Sequence, residues 1–180
     1  DFFPLVKDIA QKGKLVAIGE TGLDYYYTQE TKENQKKQFI KYSSLAKDTN
    51  LPLIIHCRDA FPDLFEIASS HDIKKAVLHC FTGDIKQAKE VIRRGWYISF
   101  SGIITFKNAA ILRQVIEEIP LEKMLIETDS PYLAPQKYRG QTNEPAYVTE
   151  VAKQISQIKQ VDLDVVAKQT TKNAESFFNI

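Results

Sequence analysis

Five short apolar runs punctuate the chain: LVAIGE (15–20), LPLIIH (51–56), KAVLH (75–79), WYISFSG (96–102) and KMLIETD (123–129). Each is the length of a buried strand, and the gaps between them hold one loop and one helix. The intervening segments carry apolar residues at helical spacing. Gln35 to Asp48 repeats Phe39, Tyr42, Leu45 and Ala46 along one face. After Asp84, Ile85, Ala88, Val91 and Ile92 form a stripe; Asp84 and Gln87 make a capping box, and Gly95 is a stop. Asn108 is expected to open a helix with Ile111, Leu112, Val115 and Ile116 inward, and Pro145 one with Val148, Val151, Ala152 and Ile155. Asp162 is expected to cap a last helix, divided near Thr171. Strands alternating with helices predict a parallel α/β fold in a single domain, 1–180.

The runs are apolar throughout except at their last residues. Glu20 ends the first, His56 the second, His79 the third, Gly102 the fourth and Asp129 the fifth. Side chains alternate along a strand. By that parity Glu20 shares a face with Ile18, His56 with Ile54, His79 with Val77 and Asp129 with Glu127. In a barrel all four would point inward at one rim, with Cys57 and Cys80 facing out beneath the helices. Two imidazoles and two carboxylates on one rim make a divalent-metal set. Packing alone accounts poorly for four such residues together, because each is costly to bury without a partner.

Composition narrows the remaining classes. Lys and Arg number 24 against 23 Asp and Glu, a net charge of +1, which leaves no polybasic arm or acidic tail. No apolar run reaches the length of a membrane span, and no signal-peptide pattern is present. The two cysteines, Cys57 and Cys80, form no CxxC pair, so a cytoplasmic protein with reduced thiols is expected. No strand is followed by GxGxxG or GxxxxGK[ST], which removes support for a dinucleotide or P-loop site.

At the residues just named the chain resembles the TatD family of metal-dependent deoxyribonucleases, within the metal-dependent hydrolase barrels. The matching blocks are AIGETGLDY (17–25), LPLIIHCRDA (51–60), VLHCFTG (77–83), YISFSG (97–102), IETDSPYLAP (126–135), YRGQTNEP (138–145) and VAKQTTKNAESFF (166–178). The resemblance implies a TIM-type (β/α)8 barrel with two divalent metal ions, Mg²⁺ by default and Mn²⁺ or Zn²⁺ as alternatives. Glu20 would bridge the ions, His56 and His79 would bind one, and Asp129 the other. It implies hydrolysis of DNA phosphodiesters through a metal-activated water, often as a 3′-to-5′ exonuclease, with Glu20 and Asp129 catalytic. The family's opening His-x-His strand has no counterpart here. The five strands would therefore be the fourth to eighth, with three strand–helix units, about 75 residues, expected ahead of Asp1.

The expected partner is DNA, single-stranded or with free ends, with no membrane and no obligate protein partner. The substrate candidates each have two readings. Arg58 could fork onto a phosphate or pair with Asp59. Arg139 could hold a phosphate or order its loop. Tyr25, Tyr26 and Tyr27 could stack on unpaired bases, or bury a ring against the barrel. Asp24 could orient a metal ligand or cap a turn. Glu127, deeper in the barrel, needs a histidine or basic partner. His71 reads as solvated. Two other functions stay open: a small-molecule amidohydrolase or lactonase with the same metal cage, and an inactive fragment.

Overall fold

The computed structural model describes residues 2–27 and 30–180. It has the expected α/β pattern, with every strand pairing parallel to its sequence neighbour within each of two compact units. The units are Asp1–His79 with Phe177–Ile180, and Cys80–Ser176.

In the first unit, β1 (Ile18–Asp24), β2 (Leu53–Arg58) and β3 (Ala76–Leu78) lie side by side in that order. Helices α1 (Phe3–Gln11), α2 (Lys32–Thr49) and α3 (Phe61–Ser70) accompany them. Strand β2 alternates as its sequence predicts: Leu53, Ile55 and Cys57 are buried, while Ile54, His56 and Arg58 are half-buried. Strand β1 does not alternate. Ile18 faces Leu53 but Thr21 faces Ile55, so one extra residue enters β1 between them. Ile18 and Leu23, five positions apart, are therefore both fully buried.

This bulge corrects two expectations. The first strand continues four residues beyond Glu20, and Glu20 does not share the buried face of Ile18. The bulge closes on Gly22, whose φ is +148° and whose added Cβ would stand 2.0 Å from the His56 carbonyl oxygen. Only glycine fits there. The other runs also end elsewhere than predicted. Strand β2 passes His56 by two residues, and β3 stops one short of His79.

In the second unit, β4 (Tyr97–Phe100) pairs with β5 (Met124–Ile126), Ile98 opposite Met124 and Phe100 opposite Ile126. Helix α4 (Ile85–Arg93) has the predicted reciprocal capping box of Asp84 and Gln87 and stops at Gly95, φ +81°. Such a cap stabilises a helix by about 1 kcal/mol. Helix α5 (Ala110–Glu118) begins two residues after Asn108, without a side-chain cap, and leaves Ile111 exposed. Pro145 opens a single 3-10 turn, Pro145–Tyr147, that runs into α6 (Val148–Lys159). Helix α7 (Leu163–Phe178) is undivided at Thr171. The neighbouring Thr170 hydroxyl donates to the Val166 carbonyl at 2.9 Å, a bond made inside a helix rather than at its break. The core here gathers Val91, Trp96, Phe100, Val115, Ile116, Val151 and Ile155.

Candidate metal centre

The three elements of the first sheet deliver one ligand atom each to a single point. The β1 bulge turns Glu20 out of the core, alternation on β2 presents His56, and His79 follows β3 directly. Glu20 Oε1 lies 3.2 Å from His56 Nδ1 and 3.1 Å from His79 Nε2. The two ring nitrogens are 3.2 Å apart. Ligand atoms about 2.1 Å from one cation stand about 3.0 Å apart at right angles and about 3.4 Å apart at tetrahedral angles. The observed triangle falls between those limits, so its spacing fits a divalent cation. Among the described residues this is the only such group of three or more metal-ligating side chains.

The electrostatics agree. Hydrogen bonds from His56 and then His79 hold the Glu20 carboxyl well below the usual carboxylate range, against the opposing effect of burial. Glu20, foremost, raises the His56 pKa; burial opposes this and Asp24 adds to it. Positive charge is thus favoured where the three atoms converge. Both histidine contacts fall on Glu20 Oε1.

Asp24 supports His56 from behind. Its Oδ2 lies 3.0 Å from His56 Nε2. In the neutral imidazole that a cation requires, Nε2 donating to Asp24 would leave the Nδ1 lone pair toward Glu20 and His79. Gln35 of α2 clamps the Asp24 backbone, accepting its N–H at 2.7 Å and donating to its carbonyl at 2.8 Å. Sequence patterning offered no signal for Gln35, whose role depends on a contact 11 residues away in the chain.

Tyr25 is the clearest correction among the substrate candidates. It is buried, its hydroxyl donates to Asp63 at 2.7 Å, and Lys32 lies 4.2 Å from its ring centre. A ring so enclosed offers no face to a base. The exposed rings are Tyr26 and Tyr27, and the Arg58 guanidinium lies 3.6 Å from the Tyr26 ring centre. His71 is half-buried at the end of α3 and lines a cavity of about 110 Å³ with Lys47 and Lys75.

In the second unit, Asp129 is half-buried after β5, and its carbonyl accepts the Tyr132 N–H at 2.7 Å. Glu127 accepts the backbone N–H of Cys80. Arg139 is exposed, its guanidinium 4.2 Å from the Phe106 ring centre. Asn143 does not cap the following helix. Its buried amide donates to the Tyr132 carbonyl at 2.6 Å and pins the loop.

Comparison with known proteins places the chain among metal-dependent hydrolases. The family model described as "TatD related DNase" matches residues 1–179. The uncharacterised metal-dependent hydrolase YabD of Bacillus subtilis strain 168 is 43% identical over 177 residues, 97% of this chain and 69% of that protein. YcfH of Escherichia coli K12, described in the same words, is 44% identical over 97% of this chain and 67% of its own length. The 3′-5′ ssDNA/RNA exonuclease TatD of Escherichia fergusonii is 35% identical over 96% of this chain and 69% of that protein. The crystal structure of the TatD homologue YjjV from E. coli K12 superposes with a TM-score of 0.93 at 29% identity, covering 98% of this chain and 70% of that one. On these matches the chain belongs to the TatD family of metal-dependent hydrolases.

Proposed function

We propose that the protein hydrolyses phosphodiester bonds of single-stranded nucleic acid, working from the 3′ end, with a divalent cation held by Glu20, His56 and His79. The observation that carries this reading is the convergence of those three ligand atoms at 3.1–3.2 Å. The similarity to a relative named as a 3′-5′ ssDNA/RNA exonuclease supports the substrate and direction. A cation there supplies Lewis acidity for phosphoryl chemistry. The chain's own residues do the rest. Asp24 fixes the His56 tautomer, and the Glu20 carboxylate carries negative charge at neutral pH. Its second oxygen would be available to hold a second cation. Asp129 is proposed as a ligand to that second ion and as acceptor of the water's proton. Arg139, exposed over Phe106, is proposed to meet a phosphate. Two nitrogen donors beside one oxygen favour Mn²⁺ or Zn²⁺ over Mg²⁺, which prefers oxygen and water.

The test is incubation of the full chain with a 5′-labelled single-stranded oligonucleotide and each cation in turn. Stepwise shortening that a chelator abolishes is the expected result. An intact oligonucleotide with every cation would overturn the reading, and cleavage of a lactone or cyclic amide instead would replace it.

A further inference from the structure

Three consecutive tyrosines follow β1, and the fold treats them differently. Tyr25 is buried, whereas Tyr26 is 58% and Tyr27 79% exposed. The two exposed rings meet edge to face, centroids 4.9 Å apart and planes at 87°. The Arg58 guanidinium covers one face of Tyr26 at 3.6 Å and lies 5.4 Å from the Tyr27 ring centre. Stacking uses the face of a guanidinium and leaves its N–H edge for a carboxylate or phosphate. Among the described residues no side-chain hydrogen bond occupies that edge.

One carboxylate ties this group to the metal centre. Asp24 Oδ2 is the oxygen facing His56 Nε2, and Asp24 Oδ1 accepts the Tyr26 backbone N–H at 2.9 Å. Arg58 stands two residues after His56 on the same face of β2. The open Tyr27 ring, the Tyr26 ring capped by Arg58, the hydrogen-bonding edge of Arg58 and the candidate metal centre are thus gathered around Asp24.

We propose that Tyr26, Tyr27 and Arg58 form a binding site for an unpaired nucleotide, the Tyr27 ring stacking on the base and Arg58 donating to its phosphate. This inference rests on the phosphodiesterase reading for the nature of its ligand. Base stacking on aromatic side chains is sequence-tolerant because every base has a π-face, so the site takes single strands of any composition. A duplex, whose bases are already stacked on one another, does not engage it.

The experiment is fluorescence anisotropy of a labelled oligothymidylate with the full chain, in chelator so that no turnover intervenes. Tyr27→Ala is expected to weaken binding about 5- to 100-fold, while Tyr27→Trp keeps it. Arg58→Gln is expected to weaken binding and to reduce the salt dependence by about one phosphate contact. The proposal is overturned if the parent does not bind, if Tyr27→Ala binds as the parent does, or if a duplex competes equally. Hydrolysis of a small aromatic phosphodiester, which needs no stacking, is measured alongside. Its absence with metal present counts against the phosphodiesterase reading, whereas the platform stands or falls on binding.

Discussion

The chain places the dipeptide His-Cys after an apolar run twice, at His56-Cys57 and at His79-Cys80, and the two come out differently. In the first, β2 continues through both residues. Alternation then puts His56 on one face and Cys57 on the other, 7% exposed between the strands and helices. In the second, β3 has already ended. Cys80 turns into the left-handed region, φ +42°, with its Sγ 3.1 Å from the Ser101 hydroxyl and its N–H on Glu127. The histidines nonetheless reach the same point, their ring nitrogens 3.2 Å apart. The shared dipeptide therefore brings both histidines to one place and leaves each cysteine's surroundings to the backbone.

The largest expected effect falls on the shared half of this comparison. His56→Ala and His79→Ala are each expected to lower divalent-cation affinity at least about 100-fold, read by calorimetric titration. Equal losses sharpen the view that both dipeptides serve one site; a loss in only one breaks it. Asp24→Asn leaves all three ligands in place but loosens His56, and is expected to reduce cation affinity about 10- to 100-fold. Gly22→Ala forces a Cβ onto the His56 carbonyl. It is expected to destabilise the protein by about 3 kcal/mol or more, seen as a lowered denaturation midpoint.

Smaller effects test the unshared half. Burial pushes the Cys57 thiol from an ordinary 9.0 up to about 12. The folded protein keeps that proton while the unfolded chain loses it above pH 9, so folding stability falls as pH rises beyond 9. Burial also raises the Tyr25 hydroxyl, adding a loss of the same sign at higher pH. Cys57→Ala is expected to flatten the pH 9–12 limb of the stability profile. In the native protein at pH 8, iodoacetamide is expected to modify Cys80 before Cys57, read by peptide mass spectrometry.

What the sequence made legible follows from where local rules act alone. The capping box at Asp84 and Gln87 and the alternation of β2 are short-range, and both stand where the pattern put them. The convergence of Glu20, His56 and His79 was legible as chemistry, because polar residues at the ends of apolar runs demand partners. The route taken by Glu20 was not. An inserted residue in β1 breaks the period-2 rule, and the register of β1 against β2 reveals it. Tyr25, Tyr26 and Tyr27 are identical letters whose fates are set by distant partners, Asp63 for the first and Arg58 for the second. The same limit hid Gln35 and the Cys80 amide beneath Glu127.

The central claim is that Glu20, His56 and His79 together hold a divalent cation. Manganese titration followed by electron paramagnetic resonance, on the full chain and on His79→Ala, tests it most directly. The account predicts that the parent takes up Mn²⁺ with loss of the free-ion signal, and that His79→Ala leaves that ion free at the same concentration. Undiminished uptake by His79→Ala would contradict it.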